Sequence, residues 1–352
     1  MRELSKALDR IVAPVSRAGL EAQQALDQLT KPPGSLGRLE DLARRLSEIS
    51  GRFPPAAGHA VIFTLAADHG VVAEGVSAYP QIVTAQMVEN LLRGGAAVNV
   101  LARHAGARVV VVDMGVAGPV IRHPELVVRR IGAGTRNMAS GPAMSRDEAV
   151  AAIEAGIGLV AAEASRGLDL IGTGEMGIGN STSASAVVAA LTEAPVEAVT
   201  GPGTGIDEEG RRRKIAAIER ALAVNRPDPQ DGIDVLAKVG GFEIAGLTGV
   251  VLAGAARRIP VVVDGFIAGA AALAAVRVKP EARHYLLASH RSTEPGARHV
   301  LEALGLEPYL DLGMRLGEGT GAALFIGLAK AAVRILGEMA TFKSAGVTDR
   351  TP

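Results

Sequence analysis

The chain has 352 residues, 48% of them apolar, a length that suits one large domain with an appended subdomain, or two domains. Lysine and arginine together number 37, as do aspartate and glutamate, and this balance argues against nucleic acid or an anionic membrane as a partner. The absence of cysteine excludes disulfides, thiolate metal sites and cysteine nucleophiles.

Neither of the two longest apolar stretches predicts a membrane span. The stretch Val261–Val276 contains Asp264, and the stretch Gly319–Ala329 ends at Lys330, so each falls short of about 18 uncharged residues. Residues Met1–Leu4 lack the apolar run of a signal peptide. We therefore expect a soluble, cytoplasmic protein.

The first 55 or so residues predict a small helical subdomain. Apolar side chains recur there at helical spacing in two sets: Leu4, Leu8, Ile11 and Val15, then Leu39, Leu42, Leu46 and Ile49. The segment Thr30–Gly37 between them contains Pro-Pro-Gly and cannot be helical. At the other end of the chain, Thr320–Met339 predicts a further helix, followed by a polar tail.

An apolar, strand-like run then recurs five times, each time followed by polar residues and glycine. The runs are Ala60–Ala67, Val109–Val112, Leu168–Ile171, Val261–Val263 and Tyr285–Ala288. Alanine-rich segments of helical length separate them: Thr84–His104, Arg146–Ser165 and Asp207–Val224. This alternation predicts an α/β fold with a parallel sheet covered by helices on both faces. Because ligands bind beyond the carboxyl ends of such strands, we expect the polar endings to converge on one crevice.

Two glutamates lie in glycine-rich segments that we interpret as tight turns, Gly174–Gly177 and Gly317–Gly319. Glycine lets a ligand come close to the backbone, so each carboxylate is a candidate to face that ligand. A third glycine-rich loop, Gly201–Gly205, favours an anion, and together the three segments indicate a site for a phosphorylated small molecule.

Two nucleotide-binding motifs are partly matched. Gly172–Gly177 fits the spacing GxGxxG after a strand, which leaves an NAD-dependent dehydrogenase as an alternative, although no acidic residue clearly ends the next strand. Gly174–Ser181 nearly fits a phosphate-binding P-loop, but Asn180 replaces the required lysine.

The loop Gly201–Gly205 leads into a predicted helix that begins at Asp207. Free backbone N–H groups at the loop and the helix start favour an anion, and Lys214 on the second turn is a candidate counter-charge. The alternative is an ordinary turn with Asp207 as the N-cap and Lys214 in solvent.

Taken together, these segments resemble the nicotinate-nucleotide–dimethylbenzimidazole phosphoribosyltransferase family, in family order over nearly the whole chain. The matching stretches are Lys31–Gly37, Asp68–Val71, Glu74–Pro80, Gly134–Met138, Gly174–Thr182, Gly201–Gly205 and Arg315–Gly321. Each motif alone is weak, whereas their combination is specific.

The resemblance implies a fold and a reaction. It implies a large α/β domain at residues 56–324 and a small helical domain at residues 1–55, completed by residues 325–352, in a homodimer. Nicotinate mononucleotide would give its phosphoribosyl group to dimethylbenzimidazole with inversion, yielding α-ribazole phosphate and nicotinate. It implies no metal and no other cofactor. The alternative is a regulatory or carrier protein that binds the nucleotide without chemistry.

The resemblance also implies roles for individual residues. Glu318 would be the general base, and Glu175 would hold the ribose or stabilise positive charge near its anomeric carbon. The other implied contacts are Tyr79, Pro80, Gln86, Met87 and Leu316 for the benzimidazole, Gly177, Asn180 and Ser181 for the nicotinate side, and Gly201, Gly203, Gly205 and Lys214 for the phosphate.

Overall fold

The centre of the molecule is a six-stranded, all-parallel sheet in the order β3-β2-β1-β4-β5-β6. The computed structural model describes residues 2–15 and 17–349. Its strands are β1 (Ala60–Ala67), β2 (Arg108–Gly115), β3 (Val127–Val128), β4 (Leu170–Met176), β5 (Val261–Val263) and β6 (Leu286–Ala288). The predicted α/β fold class is confirmed.

Fifteen α-helices within the described residues surround this sheet. In chain order they are α1 (Arg2–Arg10), α2 (Arg17–Asp27), α3 (Arg38–Ser50), α4 (Val83–Leu92), α5 (Ala97–Ala105), α6 (Arg146–Ala164), α7 (Asn180–Thr192), α8 (Val196–Val199), α9 (Glu208–Asn225), α10 (Gly232–Val239), α11 (Phe242–Ala256), α12 (Phe266–Val278), α13 (Gly296–Leu304), α14 (Thr320–Glu338) and α15 (Phe342–Ala345). Two 3₁₀ helices, Gly70–Glu74 and Pro280–Tyr285, complete the connections.

Helices α6 and α11 pack backbone against backbone, and glycine makes this possible. A Cβ atom on Gly156 would lie 2.0 Å from the carbonyl oxygen of Gly246, and one on Gly249 would lie 2.0 Å from the carbonyl oxygen of Ile153. Ordinary side chains hold helix axes about 8–10 Å apart, so larger residues at these positions would separate the pair.

The central strand β4 differs from its prediction. The sequence predicts a strand at Leu168–Ile171 and a turn at Gly174–Gly177, whereas the strand runs to Met176 and includes Gly172 and Gly174. Glu175 therefore lies at the end of a strand and not in a turn. Glycine has low strand propensity, which hides the strand in the sequence.

Other elements follow the sequence more closely. Strands β1 and β5 have the predicted bounds, whereas the predicted helix Thr84–His104 is two helices. They are separated at Gly94, which has a φ of 76°. The two-residue strand β3 was not predicted, because so short a segment has no period to detect.

The terminal helices contact different parts of the molecule. Helices α2, α3 and α14 pack against one another, whereas α1 packs on α6 and α11. The division into residues 1–55 with 325–352 and residues 56–324 stays a prediction, and its residues 1, 16 and 350–352 lie outside the described residues.

Helix α14 is, among the described residues, the one helix long and apolar enough to cross a membrane by length and composition. Half of its most apolar window is buried inside the protein, and the helix contacts α3, α5 and β4. We therefore assign it to the packed core of this fold.

The glycine contact between α6 and α11 gives a direct test of the packing. We expect Gly156→Ala to lower the free energy of unfolding by about 2 kcal/mol or more, because the new methyl group overlaps the backbone of α11. The control is Gly158→Ala on the same helix, where no atom lies within 4 Å of the new Cβ and higher helix propensity should stabilise by up to about 1 kcal/mol. Urea unfolding measures both, and equal stabilities of the two variants would contradict the contact.

Candidate active site

The sheet has a topological switch point between β1 and β4, where the strand order reverses direction. Connections from these two strands leave in opposite directions, and in open parallel sheets a ligand crevice is expected beyond the carboxyl ends of such strands. Asp68 and His69 follow β1, and Glu175 lies at the end of β4. The sequence predicts a crevice at this edge, and the strand ends do converge there.

The loop at residues 317–319 packs directly on β4 in this crevice. A Cβ atom on Gly174 would lie 2.3 Å from the carbonyl oxygen of Glu318, and one on Gly317 would lie 2.2 Å from Oε1 of Glu175. The hydroxyl of Thr64, on β1, donates to the Glu318 carbonyl oxygen at 3.0 Å. The two glycine-rich segments noted in the sequence therefore interlock.

Glu318 has an unusual backbone for its residue type. Its φ is 62°, between Gly317 at 84° and Gly319 at 99°. A non-glycine residue in the left-handed region is uncommon and carries strain of order 1 kcal/mol or more, and such strain is often found at functional sites. The Glu318 carboxylate is buried, and its Oε2 has no hydrogen-bond partner in the protein.

Asp264 hydrogen-bonds the backbone at the end of the loop at residues 317–319. Its carboxylate accepts from the backbone N–H of Gly319 at 3.2 Å and of Ala322 at 3.0 Å, at the start of α14. A negative charge is favoured at a helix N-terminus. Burial nevertheless raises the pKa of Asp264 to about 7, and the nearby Glu318 charge adds to that rise.

Glu175 lies near Asp264 and Glu318. Burial is the largest cause that raises its pKa to about 8, and the carboxylates of Asp264 and Glu243 raise it further. The side-chain amide of Asn180 donates to Oε2 of Glu175 and favours its charged form. Burial also raises the pKa of Glu318.

A buried histidine–glutamate pair borders this cluster. Nε2 of His69 lies 2.8 Å from Oε1 of Glu243, and both side chains are buried. A Cβ atom on Gly241 would lie 2.4 Å from Cε1 of His69, so that glycine makes room for the pair. Neighbouring Asp68 accepts from the Thr84 hydroxyl at 2.7 Å, and burial raises its pKa.

The sequence did not identify Glu243 or Asp264 as site residues. Asp264 carried a signal, since it follows the predicted strand Val261–Val263 at the same edge. Glu243 carried none, because it lies in the first turn of an otherwise apolar helix. Across residues 2–15 and 17–349, no group of three or more acidic or histidine side chains is arranged to hold a metal ion.

The predicted phosphate loop lies against Lys214. The ammonium donates to the Ser181 hydroxyl at 2.9 Å and to the Gly201 carbonyl at 3.3 Å, and a Cβ on Gly203 would lie 2.6 Å from the Ser181 hydroxyl. Arg315 donates to the Gly203 carbonyl at 2.8 Å. Lys214 is buried, so the alternative in which this lysine lies in solvent is wrong.

The same alternative also predicts Asp207 as an N-cap, and this part is confirmed. Asp207 is the N-cap of α9, and its side chain accepts from the Gly210 N–H at 2.8 Å. The start of this helix is therefore partly satisfied. The loop and Lys214 remain the candidate groups for an anion, with Gly205 in the left-handed region at a φ of 101°.

The three residues predicted for the nicotinate side are already engaged with neighbours. A Cβ on Gly177 would lie 2.2 Å from the Ala67 carbonyl oxygen, while Asn180 bonds Glu175 and Ser181 bonds Lys214. Asn180 and Ser181 are adjacent in the chain, so they link the cluster of carboxylates around Glu175 to the predicted phosphate loop.

The glycines of the GxGxxG match serve packing. Cβ atoms on Gly172 and Gly174 would meet the Ile62 side chain at 2.9 Å and the Glu318 backbone at 2.3 Å. Both lie within β4 and not in a turn that opens a helix, so the dinucleotide interpretation is wrong.

The residues predicted for the benzimidazole include two large apolar side chains that are exposed. Tyr79 is 53% exposed and Leu316 is 58% exposed. The Ala78 N–H donates to the Thr204 hydroxyl at 3.2 Å, which ties the Tyr79 loop to the phosphate loop. The other residues predicted for the benzimidazole are Pro80 and Gln86, which are exposed, and Met87, which is half-buried.

Comparisons with known proteins match one family along nearly the whole chain. The model of a family described as "Phosphoribosyltransferase" matches residues 11–347. Proteins named nicotinate-nucleotide–dimethylbenzimidazole phosphoribosyltransferase from Roseiflexus sp. (strain RS-1) and Geobacter sulfurreducens are 56% identical over 350 residues and 55% identical over 349 residues, each covering 99% of both chains.

Solved structures are similar as well. A crystal structure of the enzyme of that name from Thermus thermophilus aligns with a TM-score of 0.89 and 49% identity, covering 96% of this chain and 100% of the other. A crystal structure of CobT from the same organism aligns with a TM-score of 0.91 and 50% identity, covering 95% and 99%.

The raised pKa of Glu175 predicts how stability depends on pH. The folded protein favours the protonated carboxyl, so it loses stability as the pH rises from about 4.5 toward about 8. In Glu175→Gln this loss is smaller, and the variant should gain roughly 3–4 kcal/mol relative to wild type between about pH 5 and about pH 8.5, since one pKa unit is worth about 1.4 kcal/mol.

Urea unfolding at the two pH values measures this difference, with the exposed Glu125→Gln as the control. A stability difference between Glu175→Gln and wild type that does not change with pH would show that Glu175 ionises normally in the folded protein.

Proposed function

The chain belongs to the nicotinate-nucleotide–dimethylbenzimidazole phosphoribosyltransferase family, and we propose that its crevice transfers the phosphoribosyl group of nicotinate mononucleotide to dimethylbenzimidazole. The products are α-ribazole phosphate and nicotinate. The observation that carries this proposal is the buried carboxylate of Glu318, in a loop that packs on Glu175 and is hydrogen-bonded by Asp264 at the switch point of the sheet.

Glu318 is proposed as the general base. One nitrogen of the benzimidazole attacks the anomeric carbon, and the other nitrogen loses its proton to the carboxylate. Oε2 of Glu318 has no hydrogen-bond partner in the protein and so is free to accept that proton. Because burial raises the pKa of Glu318, its carboxylate is a stronger base than an exposed glutamate.

The leaving group needs little help from an acid. The nicotinate ring is bound to the ribose as a pyridinium, and the C–N bond electrons neutralise its nitrogen as it departs. Positive charge develops at the anomeric carbon meanwhile, and the carboxylates of Glu175 and Asp264 favour positive charge at that position. The β-linked substrate gives an α-linked product, so the two rings lie on opposite faces of the sugar.

The phosphate and the reacting carbon are proposed to lie on either side of the start of α7. Ser181 hydrogen-bonds Lys214 at the phosphate loop, and Asn180 hydrogen-bonds Glu175 at the carboxylate cluster. A ribose phosphate that spans these neighbouring residues has its phosphate on Gly201–Gly205 and its anomeric carbon near Glu175. Holding both reactants in this way supplies much of the rate, since positioning is worth several kcal/mol.

The benzimidazole is proposed to lie on the exposed rim of the crevice. A flat bicyclic base needs an apolar wall with a polar group at its edge. Tyr79 and Leu316 offer that wall, and Leu316 is two residues before Glu318. Pro80, Gln86 and Met87 extend it, and the nicotinate lies on the side of Gly177.

A homodimer and a cytoplasmic location are further parts of the proposal. The dimer is supported by the family, and the absence of cysteine suits a reducing compartment. A solution mass near twice the chain mass of 36.0 kDa would support the dimer, and a mass equal to one chain would contradict it.

Replacing the proposed base tests the mechanism. We expect Glu318→Gln to fold normally and to lose about 10²–10⁴-fold in kcat, because the amide cannot accept the benzimidazole proton. In wild type, kcat/KM should rise with pH through the raised pKa of Glu318, and the variant should lack this rise.

Mass spectrometry of α-ribazole phosphate and nicotinate measures the rate, with the exposed Glu302→Gln as the control. Near-wild-type turnover by a folded Glu318→Gln protein would remove Glu318 as the base. Tight binding of nicotinate mononucleotide by the wild type without any product would instead favour the carrier protein.

A further inference from the structure

The predicted phosphate loop is hydrogen-bonded to two other segments of the site, and each of these contacts depends on one side chain. The hydroxyl of Thr204 accepts from the backbone N–H of Ala78 at 3.2 Å and lies 3.4 Å from the Ser77 hydroxyl. The guanidinium of Arg315 donates to the Gly203 carbonyl oxygen at 2.8 Å. The loop therefore joins two chain segments that are distant in sequence.

The two joined segments carry the residues proposed as the apolar wall for the base. Tyr79 directly follows Ala78, and Leu316 directly follows Arg315. Both wall residues are exposed, so packing inside the protein does little to fix them. Their positions depend on hydrogen bonds that their immediate neighbours make with the phosphate loop.

Burial fixes only part of the phosphate loop itself. Gly201 is buried, whereas Pro202, Thr204 and Gly205 are exposed. The φ of Gly203 is 52° and that of Gly205 is 101°, and glycine adds no side-chain contact that would hold such a backbone. A segment with few buried contacts has low local stability. A phosphate that accepts from its backbone N–H groups would therefore order this loop.

We propose that Thr204 and Arg315 are positioning residues that couple the two substrate sites: a phosphate that fixes the loop also fixes, through them, the segments that carry Tyr79 and Leu316, and so raises the affinity for the base. The first ligand orders the three segments, and the second ligand binds to segments that are already ordered. Such coupling is reciprocal, so the base raises the affinity for the phosphate by the same factor. This inference rests on the proposed function, which assigns the two ligands to these segments.

Coupling of this kind suits a reaction between two substrates. It favours the complex in which the nucleotide and the base are held together, and holding both reactants in place supplies much of the rate. The contacts are of the right strength, because one hydrogen bond contributes roughly twofold to tenfold in affinity. Two such contacts are enough for the coupling factors that are usual between binding sites.

Calorimetry of dimethylbenzimidazole binding, with and without saturating ribose 5-phosphate, measures the coupling. Ribose 5-phosphate carries the phosphate but has no nicotinate to lose, so the base binds without being consumed. We expect the affinity of the wild type for the base to rise about fivefold or more when ribose 5-phosphate is bound. Ribose without the phosphate should leave the affinity unchanged.

Variants of Thr204 assign the coupling to its hydroxyl. Thr204→Val keeps the shape of the side chain and removes the hydroxyl, so the rise in affinity should be about threefold smaller. Without ribose 5-phosphate, its affinity for the base should differ from wild type by less than about twofold, because the loop is then not fixed. Thr204→Ser keeps the hydroxyl and is the matched control, with the wild-type rise. Adding Arg315→Met to Thr204→Val should lower the rise further.

Three results would overturn the proposal. The first is the absence of any rise in the wild type, and the second is a rise of the same size in Thr204→Val and Thr204→Ser. The third is an equal loss of base affinity with and without ribose 5-phosphate in Thr204→Val, which is expected if the substitution merely damages the base site. A Thr204→Val protein that binds ribose 5-phosphate more weakly but keeps the full rise gives the second result and makes Thr204 a phosphate contact.

The product assay separates this inference from the proposed function. If the coupling is found but wild type forms no α-ribazole phosphate from nicotinate mononucleotide, the two residues have the proposed role in a protein with a different reaction. If the product is formed and the affinity for the base does not rise, the transferase stands and the positioning role is wrong.

Discussion

Close backbone contact between the loop at residues 317–319 and strand β4 is the constraint on which the site depends. The contact requires glycine at 174 and 317, because a Cβ at either position would overlap its neighbour. It holds Glu318 in the left-handed region and brings its carboxylate beside that of Glu175. Asp264 completes the arrangement by accepting from the first N–H groups of α14. Chain packing alone therefore gathers these acids at the switch point of the sheet.

Burying several carboxyl groups together lowers the stability of the fold, but it favours binding of a positively charged reacting group. Burial raises the pKa of Glu175 to about 8 and that of Asp264 to about 7, so these carboxyls resist ionisation until a positive charge is present. A pyridinium substrate and a developing oxocarbenium ion are such charges. The end that is proposed to bind the phosphate has the opposite composition, with Lys214 and Arg315 at the glycine loop. The two ends thus match a ligand that is anionic at one end and cationic at the other.

The sequence predicts the sheet and the convergence of polar strand endings at one edge, because apolar runs and their polar endings are local signals. The sequence analysis predicts a turn at Glu175, because the glycines of β4 favour a turn when their packing partners are unknown. Glu243 was missed because only the fold brings it to His69, 174 positions away. The burial of Lys214 was likewise invisible, as it depends on the loop that covers it. Long-range contacts, not local propensities, decided each of these cases.

The most direct test of the proposed site is the structure of the Glu318→Gln variant, which is expected to be inactive, with nicotinate mononucleotide and dimethylbenzimidazole bound. The account predicts the phosphate on the Gly201–Gly205 loop beside Lys214, the anomeric carbon near Glu175, and the imidazole N–H of the base within hydrogen-bond reach of residue 318. A benzimidazole bound away from residue 318, or a phosphate bound away from the glycine loop, would contradict it.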